Sequence, residues 1–142
     1  MSRFLFKELK SVVLGDWLGA GASRDVYASA AEPNFVIKCE YKAGSFQNIA
    51  EWDVWDWIND RDQAKWFAPC ISISNCGVFL VQRRCEPLRA SERPPKLPKF
   101  LCDLKRENFG ILDGRVVCLD YGTVGSAIRL APKNLVKANW RT

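Results

Sequence analysis

Four prolines fall between Glu86 and Lys99: Pro87, Pro94, Pro95 and Pro98. Each lacks a backbone N–H and fixes φ, so the stretch cannot be a helix and reads as a linker or extended connector. It divides the chain into two parts. Before it, Val12 to Ala30 reads as strand, glycine turn, strand. Val12, Val13, Leu14, Trp17 and Leu18 lead in, and Val26 and Tyr27 lead out. The segment Ser2 to Lys10, apolar at Phe4, Leu5, Phe6 and Leu9, suits a short amphipathic helix or a lead-in strand. Ala31-Glu32-Pro33-Asn34 signals a turn, and Phe35 to Cys39 a buried β-branched strand. Phe46 to Asn59 holds no Gly or Pro and predicts a helix with Ser45 as N-cap. Its apolar face is Ile49, Trp52, Trp55 and Ile58, and its polar side Asp53, Asp56 and Asp60. Two strands, Ile71 to Ser74 and Val78 to Arg83, flank the turn Asn75-Cys76-Gly77. After the prolines come Phe109 to Leu112, a tight Asp113-Gly114 turn, Arg115 to Leu119, and a basic tail with a short helix expected after Pro132. Five strands around one helix, then a loop-bearing hairpin, is an α+β pattern.

Composition limits the chemistry. A chain of 142 residues has room for one domain. The net charge of +5 and pI near 9.0 favour acidic partners without choosing among them. With no histidine, Ser-His-Asp triads, Cys-His dyads and His-ligated zinc are excluded. Cys39, Cys70, Cys76, Cys85, Cys102 and Cys118 contain no CxxC pair, and several sit in apolar runs as small core residues. This usage points to a reducing cytoplasm. No apolar run approaches the ~20 residues of a membrane span, and Lys7, Glu8 and Lys10 break up the N-terminus before a signal peptide can form. Neither a membrane span nor secretion is expected.

Four motifs carry chemistry, each with a bland alternative. Gly19 and Gly21, two apart between strands, let backbone N–H groups approach a phosphate, or merely make a hairpin turn. Lys38 ends an apolar strand and either aims its ammonium at an anion or snorkels at an edge. Asp103 and Asn108 bracket Asp-Leu-Lys-Arg-Glu-Asn, which can orient a hydroxyl and hold a metal, or simply be a polar loop. Asp120-Tyr121-Gly122 follows a strand directly, as a magnesium ligand with a glycine hinge or as an ordinary Asp turn.

In order, these motifs resemble the signature set of the protein-kinase-like superfamily. Gly19 and Gly21 match the first two loop glycines, Val26 the following valine and Lys38 the phosphate-pairing lysine. Glu51 matches the helix glutamate that pairs with that lysine, with Asp53 or Glu40 as substitutes. Asp103 matches the catalytic-loop Asp, Lys105 its lysine, Asn108 the metal-binding Asn, and Asp120 the metal-binding Asp of D-F-G with Tyr121 for Phe. Val81, Gln82, Arg83 and Arg84 would form the hinge that meets the adenine, and Ser23 would join the glycine loop at the nucleotide. The chain departs from the pattern too. Arg24 stands at the third glycine, Leu101-Cys102 replaces His-Arg, and the step from Lys38 to Glu51 is short. No A-P-E segment follows Gly122.

The resemblance implies a kinase-like N-lobe, a five-stranded antiparallel sheet plus one helix, with a drastically reduced C-lobe. One domain over 1–142 is expected: 12–85 N-lobe-like, 86–99 hinge or connector, 100–122 catalytic and metal-binding hairpin, 123–142 basic tail. It implies ATP and Mg²⁺ as cofactors and transfer of the γ-phosphate to a hydroxyl of protein Ser or Thr, or of the chain itself. Lys38, Glu51, Asp103 and Lys105 would be catalytic, and Asn108 and Asp120 would bind metal. The alternative is an inactive kinase fold that docks a partner protein or forms a homodimer. So small a version suggests a compact viral or phage genome. The run Arg83, Arg84, Arg89, Arg93, Lys96 and Lys99 raises nucleic-acid binding, which is less favoured because a charge run is usually a solvated face.

Overall fold

A computed structural model describes residues 3–42, 44–130 and 133–141. The chain divides into two compact units, Met1–Ile49 with Cys70–Arg84, and Ala50–Pro69 with Cys85–Thr142. Residues 50–69, expected with the sheet, belong to the second unit.

In the first unit, helix α1 (Arg3–Val13) precedes strands β1 (Leu14–Ala20), β2 (Arg24–Ser29) and β3 (Phe35–Glu40). Helix α2 (Gln47–Ile58) begins here, and β4 (Cys70–Ile73) and β5 (Phe79–Arg83) complete the sheet. The strand order is β1-β2-β3-β5-β4, antiparallel throughout. The α+β class and five-stranded antiparallel sheet expected from the sequence are present. Gly77 has φ +77 in the β4–β5 turn, and a Cβ there would fall 2.7 Å from the Ile49 side chain. That turn therefore needs glycine for both conformation and space.

Three local expectations change. Val12 and Val13 end α1 rather than start β1, because nothing in Ser11-Val12-Val13 breaks a helix, and the Val13 carbonyl accepts the Ala30 N–H at 3.0 Å. Ser45 does not cap α2. Its hydroxyl donates to the Lys42 carbonyl, while the Asn48 N–H donates to Glu40 Oε1 at 2.7 Å, so a carboxylate from β3 satisfies the helix start. The buried stripe of α2 is Asn48, Glu51, Val54 and Ile58, whereas Ile49 is exposed and Trp52 and Trp55 are half-buried. The tryptophans occupy the flanks because polar groups hold the centre.

The second unit contains the rest of α2, a 3-10 turn at Asp62–Trp66, and five short strands in two small sheets. Strands β6 (Glu86–Pro87), β8 (Phe109–Leu112) and β9 (Arg115–Cys118) form one antiparallel sheet, and β7 (Lys96–Pro98) pairs with β10 (Leu135–Lys137). The proline stretch is extended at β6 and β7 with a 3-10 turn, Ala90–Glu92, between them, and it also supplies core, since Leu88 and Leu97 are buried. The tail's short helix, α3 (Gly125–Leu130), comes before the expected place, and beyond it the chain turns to strand β10, whose backbone pairs with β7. Ser2 and Pro132, which bound two of the expected segments, lie outside the described residues. Phe67 stacks on Phe100 at 5.8 Å and meets Tyr121 edge-on at 4.8 Å, and the Tyr121 hydroxyl donates to the Ala68 carbonyl. Among the described residues, no helix is long and apolar enough to cross a membrane.

Candidate functional site

Directly opposed residues of antiparallel strands share a face. The register sets Gly19 against Val26, Val26 against Lys38, and Lys38 against Leu80, so these four form a row across four strands. Lys38 is buried. Arg24 and Glu40, also opposed, lie on the same face. Asn48 ties this face together. Its Oδ1 accepts from Arg24 Nη1 at 3.0 Å, and its Nδ2 donates to the carbonyls of Lys38 at 3.0 Å and Val78 at 2.8 Å. The candidate phosphate lysine thus stands in a buried polar cluster. Sequence reasoning noted Arg24 only as a departure at the third loop glycine and passed over Asn48. The available signal was the spacing of Asn48, Glu51, Val54 and Ile58, which is as helical as the tryptophan stripe.

The glycine loop joins β1 to β2. The Gly21 N–H donates to the Arg24 carbonyl at 2.8 Å, the Tyr41 hydroxyl donates to the Gly21 carbonyl at 2.6 Å, and the Tyr41 N–H donates to the Ser23 carbonyl. Ser23 is buried. Neither Gly19 nor Gly21 has a left-handed φ, and a Cβ on either would meet nothing within 4 Å. The surrounding chain therefore does not demand glycine at these positions, and the space is open to an outside group. Converting both to alanine should leave the fold intact or stabilise it by about 0.4–1 kcal/mol per site, through a stiffer unfolded chain. Mg-ATP affinity, by titration calorimetry, should fall by roughly tenfold or more, the equivalent of ~1.4 kcal/mol. Unchanged affinity would mean the glycines face no ligand.

Val81, Gln82 and Arg83 lie within β5, between β3 and β4. Val81 pairs with Ile37 and Ser72, and Gln82 with Val36 and Cys70, so both backbones serve the sheet. The first backbone beyond the strand is Arg84, whose N–H donates to the Asn34 carbonyl at 2.7 Å. Gln82 is 1% exposed, and its Nε2 has no hydrogen-bond partner among the described residues. An unmet buried donor costs about 1–3 kcal/mol. Gln82→Met should therefore raise the urea midpoint of the free protein, and a lower midpoint would show that the amide is satisfied. Burial pushes the Cys39 thiol, next to Lys38 in sequence, up to about 11, so no thiolate chemistry is available there.

In the second unit, Asp113 (φ 51) and Gly114 (φ 77) form the two-residue turn between β8 and β9. Phe109 opposes Cys118, which brings Asn108 and Leu119 to the open end of the hairpin, where the Leu119 N–H donates to the Asn108 carbonyl at 2.7 Å. Asp120 follows at once and is exposed. Asn108 Nδ2 donates to Asp103 Oδ2 at 2.9 Å and to the Asp103 carbonyl at 3.1 Å. Exposed Lys105 spans this loop, its N–H on the Asp103 carbonyl and its carbonyl accepting the Asn108 N–H. Buried Glu51 accepts the Tyr121 N–H on Oε1 at 2.8 Å, fixing the backbone beside Asp120 from α2. Sequence reasoning also missed Arg141, whose Nη2 lies 3.4 Å from Asp103 Oδ1. Among the described residues, no three His, Cys, Asp or Glu side chains form a metal cage. One end of the hairpin carries Asp120 and Asn108, whose side chains offer oxygen donors. It fits Mg²⁺, which keeps waters and substrate phosphates as its other ligands.

No family model matches this chain, and no curated protein matches it. It is similar to a solved structure described as the gentamicin-APH(2")-IIa complex, with TM-score 0.46 and 11% identity, over 63% of this chain and 30% of that chain. This chain thus spans less than a third of that one, and a likeness this low decides nothing about the site.

Proposed function

We propose that the chain is a protein-kinase-type phosphotransferase, which moves the γ-phosphate of Mg-bound ATP to a hydroxyl acceptor. The observation that carries this reading is the open end of the β8–β9 hairpin. Asp103 is held there by Asn108, the Asn108 carbonyl accepts the N–H of Leu119, the residue before Asp120, and the Lys105 backbone bridges Asp103 and Asn108. A hydroxyl-orienting carboxylate, a metal-binding carboxylate and amide, and a nearby cation are the parts this chemistry needs. The face carrying Gly19, Val26 and Lys38 supports a phosphate site of its own.

In this mechanism Asp103 accepts the proton of the acceptor hydroxyl, a new O–P bond forms, the β–γ bridging bond breaks, and ADP leaves. Lys105 balances phosphate charge at the hairpin, and Glu51 holds the backbone beside Asp120. Asp120 and Asn108 would hold Mg²⁺, which neutralises the triphosphate when bound. Catalysis is chiefly positioning and charge stabilisation. The acceptor class is a protein hydroxyl or the chain's own. The test is transfer from γ-labelled ATP, alone and with candidate protein acceptors, wild type beside Asp120→Asn.

One observation favours a second reading, a partner-binding protein on the same fold. Leu9, Val12, Val13, Trp17 and Leu18 of α1 and β1 are exposed. Such a protein need not bind nucleotide, and a melting midpoint unmoved by Mg-ATP would favour it.

A further inference from the structure

Between Leu135 and Arg141 the tail is bound at several points. Strand β10 pairs with β7 in the register Leu135–Pro98, Val136–Leu97 and Lys137–Lys96. The Ala138 N–H donates to the Pro95 carbonyl at 2.8 Å, and Trp140 Nε1 donates to the Pro94 carbonyl at 2.8 Å. The Trp140 ring meets Phe109, the first residue of β8, edge-on at 5.0 Å. The Arg141 N–H donates to the Leu104 carbonyl at 2.9 Å, and its guanidinium lies 3.4 Å from Asp103 Oδ1. A surface ion pair alone contributes little stability. Here, though, backbone bonds on both sides of the pair fix its position, and five successive contacts lead to it.

We infer that Arg141 is a positioning residue for phosphoryl transfer, holding the Asp103 carboxylate from the side opposite Asn108. This rests on the phosphotransfer reading. Asn108 takes Oδ2 and Arg141 takes Oδ1. With Oδ2 hydrogen-bonded to Asn108 and Oδ1 beside the guanidinium, rotation of the carboxylate about χ2 is opposed. An ionised carboxylate has about four lone-pair sites, so these two contacts leave room for an acceptor hydroxyl. The leucine and cysteine before Asp103 contribute no cation to this loop, and the tail supplies one. The prolines serve the same end. Pro94 and Pro95 offer carbonyls to the tail, and Pro98 stands opposite Leu135 in the strand pairing.

The experiment measures steady-state transfer by wild type, Arg141→Gln and Arg141→Lys, varying Mg-ATP, with a thermal melt of each. A misplaced catalytic group costs on the order of 10²-fold. Arg141→Gln should lower kcat by about tenfold to a hundredfold with KM for Mg-ATP unchanged, and Arg141→Lys should recover most of the loss. All three should melt within a few degrees of one another. Unchanged kcat in Arg141→Gln would overturn the inference while leaving the phosphotransfer reading intact. So would a raised kcat, which would make the tail a block on Asp103. Equal losses in the glutamine and lysine variants, tracking a lowered melt, would reduce the contact to a structural one. No transfer and no ATP hydrolysis by wild type would overturn both readings.

Discussion

Asp120→Asn should reduce phosphoryl transfer by at least about 10²–10³-fold, the range typical of removing one group that stabilises charge in the transition state. The side chain is exposed at the end of β9, and asparagine keeps its shape while removing the charge. The backbone around it is held by other groups: the Leu119 N–H by the Asn108 carbonyl, and the Tyr121 N–H by Glu51. The variant should therefore fold, and its loss of rate should not follow its melt. Asp103→Asn tests the other end of the same loop. It removes the base and should cost about 10²–10⁴-fold. The two variants differ in what they do to binding. Asp120→Asn should raise the Mg²⁺ concentration needed for half-maximal rate, whereas Asp103→Asn should lower kcat with nucleotide affinity kept. Full transfer by either variant would remove that residue from the mechanism. Full transfer by both would end the phosphotransfer reading.

Much of the architecture was legible because it rests on local signals. The prolines between Glu86 and Lys99, the Asp113-Gly114 turn and the β-branched run of β3 each specify backbone shape over a few residues. The hairpin end was legible for the same reason, since Asn108 and Asp120 flank a short β-hairpin whose register brings both ends to one place. Less legible was whatever depends on distant partners. Asn48 looks like an ordinary residue of a first helical turn. Its burial follows from Arg24, Lys38 and Val78, which lie 10 to 30 residues away. The apolar stripe of α2 misled because hydrophobicity reports transfer from water, and a polar group with every bond satisfied can displace tryptophan from the centre of a buried face. Arg141 was invisible because tail placement comes from the β10–β7 pairing, and a three-residue strand leaves almost no periodic trace.

The largest effect on stability is expected at Asn48. Its amide satisfies one charged donor and two carbonyls, Arg24, Lys38 and Val78, and its backbone N–H meets Glu40. Leucine has nearly the same volume, so Asn48→Leu removes hydrogen bonds without opening a cavity. The buried Lys38 carbonyl, the Val78 carbonyl and one guanidinium arm then lose this partner, although the Val78 carbonyl keeps the Glu40 N–H. At about 1–3 kcal/mol for each group, more for the charged one, and allowing for relaxation, the loss should be about 3–5 kcal/mol. A native domain is stable by only ~5–15 kcal/mol, so the variant should unfold at a much lower urea concentration than wild type. Asn48→Asp separates the contributions. It keeps an acceptor, now charged, for Arg24, but loses both donor bonds and sets a carboxylate against two carbonyl oxygens. If Arg24 carries most of the stability, aspartate should recover part of the loss. If the carbonyls carry it, aspartate should be as damaging as leucine. Either result places the anchor of the Lys38 backbone, because the Asn48–Lys38 bond fixes the strand from which that ammonium departs. A leucine variant with an unchanged urea midpoint would show that the buried cluster contributes nothing net, and that the sheet alone sets the position of Lys38.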